Sequence, residues 1–170
     1  MKTIVLVCLM AGMAFGHTDM VTSGGMMSGF LHPISGLDHI LAMLGVGFLA
    51  FYASKKGYLT LVAFIGAMIL AAVAGYAGIA FFGVEEGILI SVAVIFALIG
   101  FANKLSINFI VAMVAFFGLF HGYAHGAEFS EGSFLAYMLG FSISTLILHL
   151  MGIAIAYGYH KSNLKAVFVK

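Results

Sequence analysis

The chain has 170 residues, of which 64% are hydrophobic and 8% are charged, and its mean hydropathy is +1.19. A soluble domain carries about 25% charged residues, so this composition predicts an all-α integral membrane protein, because a water-soluble fold could not bury so much apolar surface. The net charge of +1 offers no basic patch for nucleic acid, and the single cysteine, Cys8, excludes a disulfide framework and a thiolate metal site.

The N-terminal segment has the three-part pattern of a secretory signal: Lys2, an apolar run, then the small residues Ala14 and Gly16. We predict a signal peptide at residues 1–16 and a mature chain that forms one transmembrane domain over residues 17–170. A retained first membrane helix is the alternative, although the apolar run is short for a span. Cleavage would place His17 at the N-terminus, where its amine and imidazole can chelate a divalent metal; a loose polar terminus is the other interpretation.

Five further apolar segments are predicted to cross the membrane as helices, and the third of them is short for a span, which predicts a nearly upright helix. The predicted spans are residues 33–53, 59–82, 87–102, 107–124 and 133–159. With the signal, the precursor would have six hydrophobic segments, and the mature protein would be a polytopic bundle of five transmembrane helices. Pro33 is predicted to lie in the first turn of the first span, where its missing N–H does no harm.

Loop charges predict the orientation, because lysine is enriched in cytoplasmic loops. If the mature N-terminus lies outside, every mature-chain lysine falls on the inner side and all four glutamates fall on the outer side. The lysines are Lys55, Lys56, Lys104, Lys161, Lys165 and Lys170. We therefore expect a multi-pass protein whose C-terminus is cytoplasmic.

Two clusters of ionisable side chains interrupt the apolar spans. Such side chains cost about 2.5–3.5 kcal/mol each inside a membrane, so they usually face a partner, a cavity or a ligand. The first cluster opens the first span and the second closes the fourth, which places both in the outer third of the membrane. The clusters consist of His32, Asp38 and His39, and of His121, His125 and Glu128.

The spacing within the second cluster favours a metal site. His121 and His125 are four residues apart and Glu128 is three further on, so all three lie on one stripe of a helix. A facing helix can complete the coordination, and imidazole with carboxylate suits Ni, Co, Zn, Fe or Cu(II). The alternative is that the histidines hydrogen-bond across helices and hold the bundle together. His149, in the middle of the fifth span, fits structural hydrogen bonding or a relay step for the ion equally well.

A repeat of small residues runs beside this stripe. Gly118, Gly122 and Gly126 recur every four residues, which would let another helix approach closely. The repeat predicts a tight helix–helix contact and leaves the partner helix open.

Two segments resemble the signature segments of the HupE/UreJ family of small nickel permeases. They read HPISGLDHILAMLGVG over residues 32–47 and FHGYAHGAE over residues 120–128. The resemblance covers essentially the whole chain and includes the histidine directly after the signal-like start. It implies secondary transport of nickel, or alternatively cobalt, across the bacterial inner membrane, serving hydrogenase or urease maturation factors. Carried over by position, it implies the metal ligands His32, Asp38, His39, His121, His125 and Glu128.

Two other functions could use the same residues. An intramembrane metal enzyme would activate a bound water with Glu128 as base, and a b-type haem protein would ligate haem with histidines from two helices. We rank the transporter first and expect no enzymatic activity and no prosthetic group. The chain lacks the G-x-x-x-x-G-K-[ST] motif of ATP hydrolysis. The membrane potential or proton exchange through His39 or Asp38 are the two candidate driving forces.

Overall fold

The computed structural model describes residues 25–53 and 55–168, with side chains described as far as Ser162. Over these residues the chain is helical and contains no strand. The helices are α1 Met26–Ser35, α2 Leu37–Ala53, α3 Tyr58–Tyr76, α4 Val84–Phe101, α5 Ile107–Ala127 and α6 Phe134–Phe168. The predicted signal peptide at residues 1–16 and the candidate ligand His17 lie outside the described residues.

The described helices form a membrane-type bundle. Helices α3 to α6 are each long and apolar enough to cross a membrane, and α1 with α2 makes a fifth span if the bent pair is counted as one. Large apolar side chains cover the outer faces of the bundle; Val62 and Leu70 are 65% and 72% exposed. Such extensive apolar exposure is typical of a surface that contacts lipid. The predicted all-α polytopic bundle is therefore confirmed.

The first span differs from the continuous helix predicted over residues 33–53. Helices α1 and α2 meet at a bend of 87°, and Gly36 lies between them in an extended conformation, with φ −107° and ψ 129°. Pro33 was predicted to open the span, but it lies near the end of α1. The break has a local cause: Gly36 leaves the helical conformation, and its carbonyl starts a new helix by accepting the N–H of Ile40 at 3.1 Å.

The boundary between the second and third spans also differs from the prediction. α3 ends at Tyr76, six residues before the predicted end, and α4 begins at Val84, three residues before the predicted start. Gly78 and Gly83 in the connecting loop have φ values of 69° and 70°. Glycine adopts this left-handed conformation without a steric penalty, so these two residues end one helix and cap the next.

The glycine repeat of α5 packs directly on the backbone of α3. The facing pairs are Gly118 with Phe64, Gly122 with Met68 and Gly126 with Ala72. A Cβ atom at Gly118 would lie 2.8 Å from the carbonyl oxygen of Phe64, too close for ordinary packing. The predicted tight contact is therefore present, and its partner is α3. Because the three pairs keep one register, α3 and α5 run in the same direction.

Helix α6 makes similar close contacts with the two halves of the broken span. Gly47 of α2 stands against the backbone of His149, and Gly152 of α6 stands against the backbone of Leu44. On the other side of the break, Gly29 of α1 lies against the backbone of Tyr137. These contacts hold both α1 and α2 on α6, so the bend is fixed by packing as well as by local sequence.

The loop charges separate to opposite ends of the bundle, because the short loops reverse the chain between consecutive spans. Lysines occupy the α2–α3 and α4–α5 loops and the end of α6, and glutamates occupy the start of α4 and the α5–α6 loop. We call these the lysine end and the glutamate end. The break between α1 and α2 lies toward the glutamate end, since His32 is 3.1 Å from Glu128.

Candidate metal site

The break between α1 and α2 positions the first carboxylate. Asp38 is in the first turn of α2, where its Oδ1 accepts the backbone N–H of His39 at 2.8 Å. The same oxygen lies 3.1 Å from Nδ1 of His39. A Cβ atom at Gly36 would be 2.7 Å from this Oδ1. Glycine at the break therefore leaves the space that the carboxylate occupies.

Four imidazole rings from three helices meet beside this carboxylate. The cluster comprises His32 of α1, His39 of α2, and His121 and His125 of α5, and we call it the histidine cluster. The ring centroids are 4.7 Å apart for His32 and His125, 4.8 Å for His39 and His121, 5.2 Å for His39 and His125, and 6.2 Å for His32 and His39. The two sequence clusters therefore come together in space.

The cluster extends from a partly exposed mouth into a dry interior. At the mouth, Nε2 of His32 lies 3.1 Å from Oε2 of Glu128, and the two side chains are 21% and 38% exposed. Deeper in the bundle, His121 and His125 are fully buried. The six residues predicted as ligands from the two clusters therefore span the distance from the glutamate end to the interior, with Glu128 at the mouth and Asp38 buried.

Ser91 of α4 contacts the cluster from a fourth helix. Its hydroxyl donates to the carbonyl of Ile88 at 2.6 Å and lies 2.8 Å from Nε2 of His121. Because the single hydroxyl proton is used on Ile88, Nε2 of His121 must donate to the serine oxygen. Nδ1 of His121 is then the nitrogen with a free lone pair. Sequence reasoning missed Ser91, although it is the one hydroxyl residue in the apolar run of residues 87–102.

Several nitrogen atoms of the cluster are buried without a hydrogen-bond partner among the described residues. They are Nε2 of His39, Nδ1 of His121, and both ring nitrogens of His125. A buried polar group that lacks a partner costs about 1–3 kcal/mol, so such groups call for a bound ion or water. The interpretation that these histidines only hydrogen-bond between helices does not account for these atoms.

The rings are not arranged around a common point. Within residues 25–53 and 55–168, no group of three or more His, Cys, Asp or Glu side chains has the arrangement required to hold a metal ion. The close ring pairs of the cluster are instead edge-to-face, at interplanar angles of 62° to 81°. Their spacing, however, suits a shared ion: with metal–nitrogen bonds of about 2.0–2.1 Å, two imidazoles on one ion have centroids roughly 4.5–5 Å apart.

Aromatic side chains of α6 form one wall of the cluster. The ring of Phe141 stacks on His125 at a centroid distance of 4.7 Å and an angle of 10°, and Tyr137 lies 6.0 Å from His32. Both aromatic residues are buried. This wall keeps water from that side of the cluster, which strengthens electrostatic interactions within it.

The remaining predicted ligand inside the described range, His149, lies apart from the cluster. Its ring is fully buried in α6 and packs 5.4 Å from Phe64. The ring of Phe64 also packs against His121, at a centroid distance of 5.3 Å. Neither nitrogen of His149 has a hydrogen-bond partner among the described residues.

Comparison with known proteins identifies a family and a relative that the chain resembles. A family model described as HupE / UreJ protein matches residues 5–169. The chain is also 35% identical, over 134 residues, to Protein HupE of Rhizobium leguminosarum bv. viciae, an alignment that covers 78% of this chain and 70% of that protein. No solved structure matches the chain.

Proposed function

The chain belongs to the HupE/UreJ family, a family of transporters associated with nickel or cobalt rather than of enzymes, and on that premise we propose that it is a secondary transporter of a divalent transition-metal ion. The ion proposed is nickel, with cobalt as the alternative. It is the substrate of the protein and not a resident cofactor. The proposed binding site consists of His32, Asp38, His39, His121, His125 and Glu128.

One observation carries the proposal: six ionisable side chains that are distant in the sequence converge at the break of a membrane helix. Imidazole and carboxylate are ligands of divalent first-row metals. The unpartnered nitrogens of His39, His121 and His125 support a role in binding an ion, because a purely structural cluster would leave their burial uncompensated.

The proposed binding is exchangeable rather than permanent. A structural metal site holds its ligands in fixed tetrahedral geometry, whereas a transported ion must also be able to leave. Rotation of His39 and His121 between the observed arrangement and a converged one would let the cluster bind and release an ion.

We further propose that the glutamate end faces outward and that the protein resides in the bacterial inner membrane. The lysines at the opposite end support this orientation, because positive loop charges favour the cytoplasmic side. In this orientation Glu128 and His32, at the exposed mouth, meet the incoming ion first. Nickel delivered inward would then be available to hydrogenase or urease maturation factors.

The test is uptake of radioactive nickel by metal-starved cells that express the wild type, His39→Ala or Asp38→Ala at matched membrane levels. We expect both variants to reduce uptake to the level of empty cells, because each removes a ligand from the centre of the site. His160→Ala is the matched control, since this exposed histidine packs beside Phe51 at the lysine end, away from the cluster.

Competition by unlabelled cobalt in the same assay ranks the two metals. If His39→Ala and Asp38→Ala both take up nickel at the wild-type rate, the proposed site is refuted. A wild type that inserts correctly but takes up neither metal would refute the proposed transport.

A further inference from the structure

A second group of side chains that can ligate metals lies inside the bundle, beside the histidine cluster. Met43 of α2 follows His39 by four residues, and Met68 of α3, Thr145 and His149 of α6 complete the group, which we call the methionine site. All four side chains are 0% exposed. Their burial in the centre of the bundle removes them from both water and lipid.

The Thr145 hydroxyl contacts the sulfur atoms of both methionines. Its Oγ1 lies 3.4 Å from Sδ of Met43 and 3.8 Å from Sδ of Met68. Threonine in a helix commonly bonds the carbonyl one turn earlier, but this hydroxyl points to two weak thioether acceptors. Three different helices thus direct one oxygen and two sulfur atoms to the same small region.

His149 extends this region toward the lysine end. It follows Thr145 by four residues and therefore lies on the same face of α6. Both of its ring nitrogens are buried without a hydrogen-bond partner in the described part of the chain. Apolar packing explains a buried methionine, but it does not explain an imidazole with two unpartnered nitrogens next to two sulfur atoms and a hydroxyl.

The methionine site is continuous with the histidine cluster. The ring of Phe64 contacts both groups, because it lies 5.3 Å from His121 and 5.4 Å from His149. Met68 faces the backbone of Gly122, the residue that follows His121. The two groups therefore adjoin in the interior of the bundle, and Met43 and His149 lie on its lysine side because each follows a residue of α2 or α6 by one turn in that direction.

We propose that Met43, Met68 and His149, with the Thr145 hydroxyl, form a second binding site for the transition-metal ion on its way through the protein. Thioether and imidazole both accept borderline and soft transition metals. The methionine site lacks the carboxylates of the first site, so it holds a divalent cation more weakly and can release it onward. This inference rests on the proposed function, since it places the second site on the route of the transported ion.

The experiment uses purified full-length protein loaded with nickel alone. Metal content and nickel X-ray absorption are measured for the wild type, for Met43→Leu/Met68→Leu and for His39→Ala, and nickel uptake is measured after reconstitution into vesicles. Leucine preserves the apolar volume, so the double variant removes the sulfur atoms while the core stays filled. Met113→Leu/Met138→Leu is the matched control, because both of these methionines are partly buried and pack against the core elsewhere.

We expect two nickel ions per wild-type chain at saturation and a sulfur ligand in the absorption spectrum. Met43→Leu/Met68→Leu should bind one ion, lose the sulfur ligand and transport at least about tenfold more slowly, whereas the control pair should keep all three properties. His39→Ala should retain the sulfur-ligated ion. Absence of sulfur ligation in the wild type, or sulfur ligation that survives in Met43→Leu/Met68→Leu, would overturn the proposal.

The two proposals fail in different ways. If the wild type transports nickel in a His39-dependent manner but shows no sulfur ligand at any loading, the methionine site is overturned and the transporter stands. If sulfur ligation is lost only in Met43→Leu/Met68→Leu but the wild type transports no metal, the second site is supported and the proposed transport is refuted.

Discussion

The contact between α5 and α3 sets the position of two site histidines, and we predict that an added methyl group there disturbs both stability and metal binding. Gly122 lies between His121 and the turn that carries His125. A Cβ atom at Gly122 would be 2.5 Å from the Cα atom of Met68, whereas ordinary contacts begin at 3.4 Å. Since the obstacle is backbone, the two helices must separate by about 1 Å, at a cost of about 1–3 kcal/mol.

A graded series isolates this effect. At Gly66 of α3, a Cβ atom would have no neighbour within 4 Å. At Gly118 of α5, it would be 2.8 Å from the carbonyl oxygen of Phe64. Gly66→Ala should therefore be neutral or stabilising by up to about 1 kcal/mol through helix propensity. Gly118→Ala should be intermediate, and Gly122→Ala the most destabilised.

The assay is thermal unfolding of the detergent-solubilised protein, combined with nickel affinity. A chain of this size loses about 2–4 °C in Tm per kcal/mol. Binding sites tolerate displacements of only about 0.5 Å, so Gly122→Ala should also bind nickel at least about tenfold more weakly. Equal Tm values for Gly122→Ala and Gly66→Ala would refute the argument that the glycine repeat sets the helix separation.

Two further predictions concern single contacts of the site. Ser91→Ala removes the group that fixes the tautomer of His121, so nickel affinity should fall about 10–100-fold in equilibrium binding. Thr60→Val removes another buried hydroxyl, which bonds the carbonyl of Gly57 at the lysine end, and should leave the affinity unchanged. Glu128→Gln removes a charge at the mouth, so the KM of nickel uptake should rise while the maximal rate stays close to wild type. Glu131→Gln in the same loop is the control; an equal rise in KM there would indicate general surface charge rather than capture at the site.

The sequence predicts the pairing of the two polar clusters because helix periodicity and loop charge together place them at one depth. It does not predict the break at Gly36. A single glycine inside a helical pattern does not by itself mark a break, and Pro33 fits the first turn of a helix. As a result His32, predicted to lie in the same span as His39, reaches the cluster from a different helix across the bend.

The sequence also does not predict which distant helices contact each other. A glycine repeat indicates close approach but carries no information about which helix approaches, and the partner proved to be α3. The contact between Ser91 and His121 depends on the lateral arrangement of α4 and α5. Isolated hydroxyls and methionines in apolar runs have no periodicity that distinguishes a ligand from a packing residue. The contact between Met43 and Thr145 therefore follows only from the packing of the helices in the structure.

The broken helix explains how a carboxylate can be kept inside an apolar bundle. An uninterrupted helix would leave Asp38 inside a span, beyond the first turn, where no helix end could compensate its charge. The break instead puts Asp38 in the first turn of α2, and the positive end of a helix dipole stabilises an anion there. The same break ends α1 beside Asp38, where the negative end of the α1 dipole favours a nearby cation. Discontinuous membrane helices place ion sites at such ends, and here Gly36 supplies both the discontinuity and the space for the carboxylate.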